Sequence, residues 1–264
     1  MVRRTKRRIP ADERMQLAER IHLVGSGSYG FDLTDPYDCH VYLVDGGSEL
    51  ALVDVGAGMG AAQIVTNVER CGFDPARITH LLCTHAHGDH AGGAAQMRSR
   101  LPNASLLLSR EGAEVIRAGD ERAASLDVAK AAGIYPADYR LEPCAVDEGL
   151  GEGDAVAVGD LVLECIDTPG HSSGHLSFLL EHDGRRSLFG GDVVFHGGTI
   201  LLQNIHDCSL EQLVRSLRKL RGLAIDALLP GHLAFSLERG QRHIERANEV
   251  LDTLLVPPQA VPAW

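Results

Sequence analysis

Residues 84–90 read Thr-His-Ala-His-Gly-Asp-His, and His171 in Thr-Pro-Gly-His, Asp192 in Gly-Gly-Asp and His232 in Pro-Gly-His follow. Seven metal-type side chains, His85, His87, Asp89, His90, His171, Asp192 and His232, thus stand at the ends of apolar runs and beside glycine. Gathering such groups in one place is costly unless a cation neutralises them. Imidazole nitrogen with carboxylate oxygen suits zinc, and also iron or manganese. One catalytic ion takes about three protein ligands and keeps a position open, so seven ligands suit two ions with one carboxylate shared. At an extended strand end alternate residues point the same way, which lets His85 and His87 reach one ion. Asp89 and His90 follow the turn at Gly88 and can reach a second position. Among the later motifs only Asp192 is an Asp after a Gly-Gly strand end, which makes it the natural bridge.

The surrounding pattern supplies elements to hold these residues. Short apolar, β-branched runs at 20–26, 41–45 and 50–54 read as strands, the last two joined at Gly46-Gly47 as a hairpin. Residues 60–71 have helical apolar spacing and stop at Gly72. A strand at 78–83 runs straight into the histidine cluster, and Gly92-Gly93 opens a helix to about Arg100. A strand at 104–108 precedes helices at 110–118 and 121–132. Strand pairs follow at 155–158/161–167 and 175–181/186–190, then an amphipathic helix at 209–221, a strand at 225–229 ending in Pro-Gly-His, and a helix at about 238–255. The Pro-rich tail 256–264 is expected on the surface. No repeat or linker composition interrupts the chain, so residues 1–264 read as one domain of two sheets faced by helices.

Bulk properties narrow the partners. The chain has 264 residues, 44% hydrophobic and 23% charged, enough for a large core. A net charge of −11 disfavours nucleic acid, because phosphate binding leans on a basic surface. The one basic block is Arg3, Arg4, Lys6, Arg7 and Arg8. It reads as a nucleic-acid or membrane arm, or as a solvated terminus. Without interleaved aromatics the terminus is the expectation, with residues 1–14 a flexible basic arm. No apolar stretch follows these arginines and none approaches a membrane span, so neither an export signal nor a transmembrane helix is expected. The six cysteines form no C-x-x-C and need no disulfide framework. The expected location is the cytoplasm.

The pattern resembles the metallo-β-lactamase superfamily over roughly residues 20–235. His85-x-His87-x-Asp89-His90 matches its signature, and His171, Asp192 and His232 match its later motifs in order. Asp54-Val55-Gly56 matches its Asp-Thr-Gly step, with Val for Thr. The resemblance implies an α/β fold, a four-layer αβ/βα sandwich of two mixed sheets with flanking helices and the site at one edge. It implies two Zn2+ (alternatively Fe or Mn): one on His85, His87 and His171, the other on Asp89, His90 and His232, with Asp192 bridging. Asp54 would orient a ligand histidine or the Asp89 loop. His175, four residues past His171, would support a ligand or simply occupy a strand. Segments after Asp192 border the substrate pocket in this superfamily, so His196, Asn204 and His206 are candidates for substrate contact. Tyr29 joins them from a pocket loop at 28–39, with other loops at 110–140 and 195–208; Phe31, Tyr37, Phe195 and Ile200 suggest a partly apolar pocket.

The implied chemistry is hydrolysis of a small-molecule substrate by a water acidified between the cations, with Asp89 passing its proton to the leaving group. Fold does not settle the substrate. Acyl-homoserine lactonases share the His-x-His-x-Asp-His-Ala-Gly-Gly run but place a tyrosine between the later ligands, and this chain has none after Tyr139. Hydroxyacylglutathione hydrolases share Thr-Pro-Gly-His and all seven ligands, with a basic region after the last; here that stretch mixes Glu, Arg and apolar residues. The tRNA 3′-processing nucleases add a basic arm that is not found, and true β-lactamases usually carry Cys where Asp192 stands. The expectation is an ester, thioester or lactone hydrolase of the hydroxyacylglutathione-hydrolase-like group. The alternatives are a mononuclear iron enzyme like the persulfide dioxygenases, phosphodiester or β-lactam hydrolysis as a minor activity, and a metal-stabilised binding module. The helices around 121–139 could cover the site or pack on a second subunit as a homodimer.

Overall fold

The computed structural model describes residues 15–261. The basic block at 3–8 and the last three residues of the tail lie outside the described residues. Seven strands form the first sheet: β1 (Gln16–Ala18), β2 (Ile21–Gly25), β3 (Val41–Asp45), β4 (Leu50–Val53), β5 (Ile78–Leu82), β6 (Ser105–Ser109) and β7 (Glu148–Leu150), side by side in that order. The hairpin half, β1 to β4, is antiparallel, and β4 to β7 are parallel. The second sheet runs β12-β11-β10-β9-β8, from β8 (Ala155–Val158), β9 (Leu161–Asp167), β10 (Leu176–His182), β11 (Arg185–Gly191) and β12 (Ala227–Pro230). Its β11–β12 pair is parallel and the rest antiparallel, so both sheets are mixed.

The layering follows from side-chain alternation along the strands. In β3, Tyr42 and Val44 enter the core between the sheets, whereas Val41 and Leu43 face the opposite way. That outer face of the first sheet is covered by α1 (Ala61–Arg70), α3 (Ala94–Arg100) and α4 (Arg110–Ala118) through Ile64, Val68, Met97 and Ile116. In β10, Leu176, Phe178 and Leu180 point into the inter-sheet core and Leu179 points out, onto α6 (Leu210–Leu220) and α7 (Gln241–Asp252). Helix, sheet, sheet and helix therefore stack as four layers. Among the described residues no helix is long and apolar enough to cross a membrane.

Three sequence expectations change. The helix expected over 121–132 is confined to α5 (Leu126–Ala131). Asp120 accepts from the amides of Arg122 and Ala123, a local turn that competes with helix, and Ser125 is left-handed at φ 53°. The last helix shortens to 241–252, because Arg239 and Leu254 on either side are also left-handed. The tail does not simply lie on the surface. Residue 259 bridges to Ile200, the Ala260 amide donates to the Ile200 carbonyl, and Ala260 and Val261 reach the pocket described below.

Candidate metal centre

Every one of the seven residues sits where a strand gives way to a tight turn. β5 ends at Leu82, the chain bends at Thr84 and again at His87, itself extended (ψ 154°), and the single turn α2 (Gly88–Ala91) begins. His85 and His87 therefore lie on the approach, and Asp89 and His90 on the turn. His171 follows β9, Asp192 follows β11, and His232 follows β12. Glycine is required at two of these exits. Gly191 is left-handed at φ 48°, and a side chain there would strike the His175 ring. A side chain at Gly231 would run into Asp192 and His90.

Three imidazole nitrogens converge at one pole: His87 Nδ1 lies 3.1 Å from both His85 Nε2 and His171 Nε2. The far nitrogens are already engaged. His87 Nε2 meets Asp207 Oδ2 at 3.1 Å, and His171 Nδ1 meets the Leu201 carbonyl at 3.1 Å. Those acceptors fix the protons on the far side, so His87 Nδ1 and His171 Nε2 face each other with lone pairs. Burial pushes His171 down to about 4, so its Nε2 carries no proton near neutrality. Two facing lone pairs repel unless a cation lies between them.

At the second pole His90 Nε2 is 3.2 Å from His232 Nε2, and Asp89 Oδ2 is 3.0 Å from His232 Nε2. Asp192 spans the two: one oxygen lies 3.6 Å from His90 Nε2, the other 3.6 Å from His171 Nε2 and 3.5 Å from His232 Nε2. Asp192 Oδ1 is buried with no hydrogen-bond partner among the described residues. Burial alone would raise the Asp192 carboxyl, yet His232 and His90 hold it well below the usual carboxylate range. A buried, ionised, unpartnered oxygen among converging imidazoles fits a metal-binding role, and the N/O donor set suits zinc, iron or manganese.

The supporting residues divide into expected and unexpected. Asp54, left-handed at φ 62°, accepts from the Thr84 amide (2.7 Å) and hydroxyl, and takes His90 Nδ1 at 2.9 Å. His175 accepts the Asp192 amide at 3.1 Å and meets the Thr168 hydroxyl at 2.9 Å, which holds the Asp192 turn. Asp207 was missed from the sequence. Beyond His87 it accepts from the hydroxyls of Ser125 (2.6 Å) and Ser172 (2.8 Å). Its signal was its place beside His206 in the segment after Asp192.

The four candidates for substrate contact separate. Tyr29 lines the pocket over the centre, its ring edge-on to His232 with centroids 6.2 Å apart. His206 is exposed and approaches Ser125 Oγ at 3.3 Å, so it reaches the centre only through Ser125 and Asp207. Asn204 is exposed and absent from the described lining, though its neighbours Gln203 and Ile205 contribute. His196 is exposed and turned away onto His243, with centroids 4.3 Å apart. Of the expected apolar contributors only Phe195 joins Tyr29 in the lining. Phe31 stacks on His40, Tyr37 on Tyr135, and Ile200 belongs to the outer core. Tyr135, also missed, is held between Tyr37 and Tyr139 with its hydroxyl at the Gly88 corner of the pocket.

A four-layer sandwich carrying this His/Asp cluster at its strand ends defines a class of candidate metal-centre scaffold. The chain belongs to the metallo-beta-lactamase superfamily, whose family model matches residues 34–232. Among curated relatives it is 31% identical over 173 residues to a hydroxyacylglutathione hydrolase of Rhodopseudomonas palustris, covering 65% of this chain and 54% of that one. It is 26% identical over 208 residues to an atrochrysone carboxyl ACP thioesterase of Aspergillus fumigatus, covering 78% and 54%. The chain thus spans little more than half the length of these relatives. A subclass B3 metallo-beta-lactamase of Bradyrhizobium japonicum superposes with a TM-score of 0.69 at 23% identity, over 90% of both chains, a likeness of fold.

Proposed function

We propose that this protein is a metal-dependent hydrolase of a small-molecule ester, thioester or lactone in the cytoplasm, working with two cations, zinc by preference. His85, His87 and His171 would hold one, Asp89, His90 and His232 the other, with Asp192 shared. The observation that carries the reading is the convergence of the His85, His87 and His171 nitrogens, with the orphaned Asp192 oxygen in the same cluster. When bound, such cations supply an acidified water and a Lewis acid for the substrate carbonyl. The remaining work falls to the chain. Asp89, partly exposed and hydrogen-bonded to His232, is placed to carry the proton from water to the leaving group. Asp54 and Asp207 fix the tautomers of His90 and His87. The thioester hydrolases among the relatives support this class of reaction.

Gently purified protein is expected to hold about two zinc ions per chain and to cleave ester or thioester bonds, losing that activity on chelation and regaining it on repletion. About one iron per chain, with sulfur oxidation in place of hydrolysis, would sink the reading in favour of the mononuclear alternative. Asp207→Ala is expected to weaken metal binding by roughly 10- to 100-fold, because His87 loses the acceptor that sets its tautomer. Metal titration checks this; an unchanged dissociation constant would remove Asp207 from the centre's support.

A further inference from the structure

We infer that the substrate's acyl part is an uncharged aliphatic chain, seated in an apolar pocket that opens on the metal cluster. The inference takes its chemistry from the hydrolase reading above and adds the substrate class.

The pocket wall is built from three separate stretches. Ala124, Leu126, Ala129 and Ile134 come from α5 and its flanks, Leu201 and Ile205 from the segment after Asp192, and the tail adds Ala260 and Val261. Ala124 and Leu126 belong to the outer core of the first sheet, with Ala129 and Ile134 packed against it, so this wall is a fixed face of the fold. Tyr29, half exposed at 50%, extends the apolar surface to the mouth. The ionisable groups facing the space, Tyr29 and Tyr135 aside, are His87, Asp89, His171, Asp192 and His232, all within the ligand cluster. Neither Lys nor Arg is among the described lining residues. The polar exceptions on the walls are neutral: Gln203 and Ser125, whose hydroxyl is already committed to Asp207.

This composition discriminates among substrates. A carboxylate far from the scissile bond would be desolvated against aliphatic walls with no cationic partner, which is costly. A saturated chain instead gains with each methylene removed from water, by up to about fourfold in affinity. In the reaction the acyl–O or acyl–S bond breaks, water's oxygen joins the acyl carbon, and its proton leaves with the alcohol or thiol. The chain in the pocket takes no part beyond binding.

The test pairs substrates of equal length. With zinc-loaded protein, p-nitrophenyl hexanoate is expected to show a kcat/KM at least about tenfold above both p-nitrophenyl acetate and the mono-p-nitrophenyl ester of adipic acid, which ends in a carboxylate. On metal-free protein at mildly alkaline pH, hexanamide is expected to bind at least about tenfold more tightly than adipamate. Gln203→Arg, which adds a cation to the wall, should narrow both gaps. Equal or better use of the carboxylate-ended ester overturns the inference while leaving hydrolysis intact, as does equal binding of the two amides or binding of neither. Failure to cleave any ester or thioester, with the amide preference retained, sinks the hydrolase reading and supports the aliphatic pocket.

Discussion

His87→Ala and Asp89→Ala should each lower turnover by more than about 100-fold, the scale on which losing a group that merely supports a ligand already acts. The two variants probe opposite poles. His87 presents the nitrogen that faces both His85 and His171, so its removal leaves two donors where three converged. Asp89 meets His232 and is the proposed proton carrier, so its removal should depress kcat even with metal supplied in excess. Neither side chain belongs to a hydrophobic core, and both crowd lone pairs or negative charge into a small space. Truncation should therefore move the melting temperature of metal-free protein by only a few degrees. Metal should separate wild type from variant: a ligand at 100 times its dissociation constant stabilises a fold by about 2.7 kcal/mol, and the His87 variant should lose most of that gain. Near-wild-type turnover in either variant, measured on folded protein, would dismantle the proposed centre.

Such variants can be chosen because so much of the cluster is legible in the chain. Each of the seven residues sits in a short local pattern, a strand run ended by glycine, and the strands' shared edge brings those patterns together. The four-layer arrangement is legible for a related reason: the alternation in Val41–Asp45 and Leu176–His182 marks one face for the inter-sheet core and one for the helices. What escapes is what depends on single long-range contacts. Asp207 reaches His87 across 120 positions, and a lone Asp in a loop carries no periodicity to announce it. The sequence singles out His196, Asn204 and His206 in the same segment, and only the path of the loop shows that Asp207 is the one that reaches His87. Ala260 and Val261 enter the pocket because the tail pairs with residues near 200, which its proline content does not suggest. Propensity likewise misreads residues 121–125, where the Asp120 side chain substitutes a turn for a helical one.

Phe178→Ala should cost about 3–5 kcal/mol of stability, the second large effect expected. Phe178 is fully buried on the inner face of β10, paired with Cys165 of β9 and Phe189 of β11. Phe189 in turn meets Tyr42 of the facing sheet, with ring centroids 5.5 Å apart, so the aromatic layer joins the two halves of the sandwich. Removing one ring leaves a cavity that rigid sheets on both sides cannot close, and the cavity cost adds to the lost transfer energy. In a chain of this size the melting temperature should fall by roughly 10 °C. Val162→Ala on neighbouring β9 is the control: its side chain is 53% exposed, and the change should stay within about 0.5 kcal/mol. The effect should reach the centre as well. His175 and Asp192 stand immediately beyond the ends of β10 and β11, so loosening that pair should lower metal occupancy before the protein unfolds. Denaturant melts of metal-free protein, read beside metal titrations below the melting point, separate the two consequences. A loss of under about 1 kcal/mol for Phe178→Ala would mean that the inter-sheet layer does not hold the sandwich together as described.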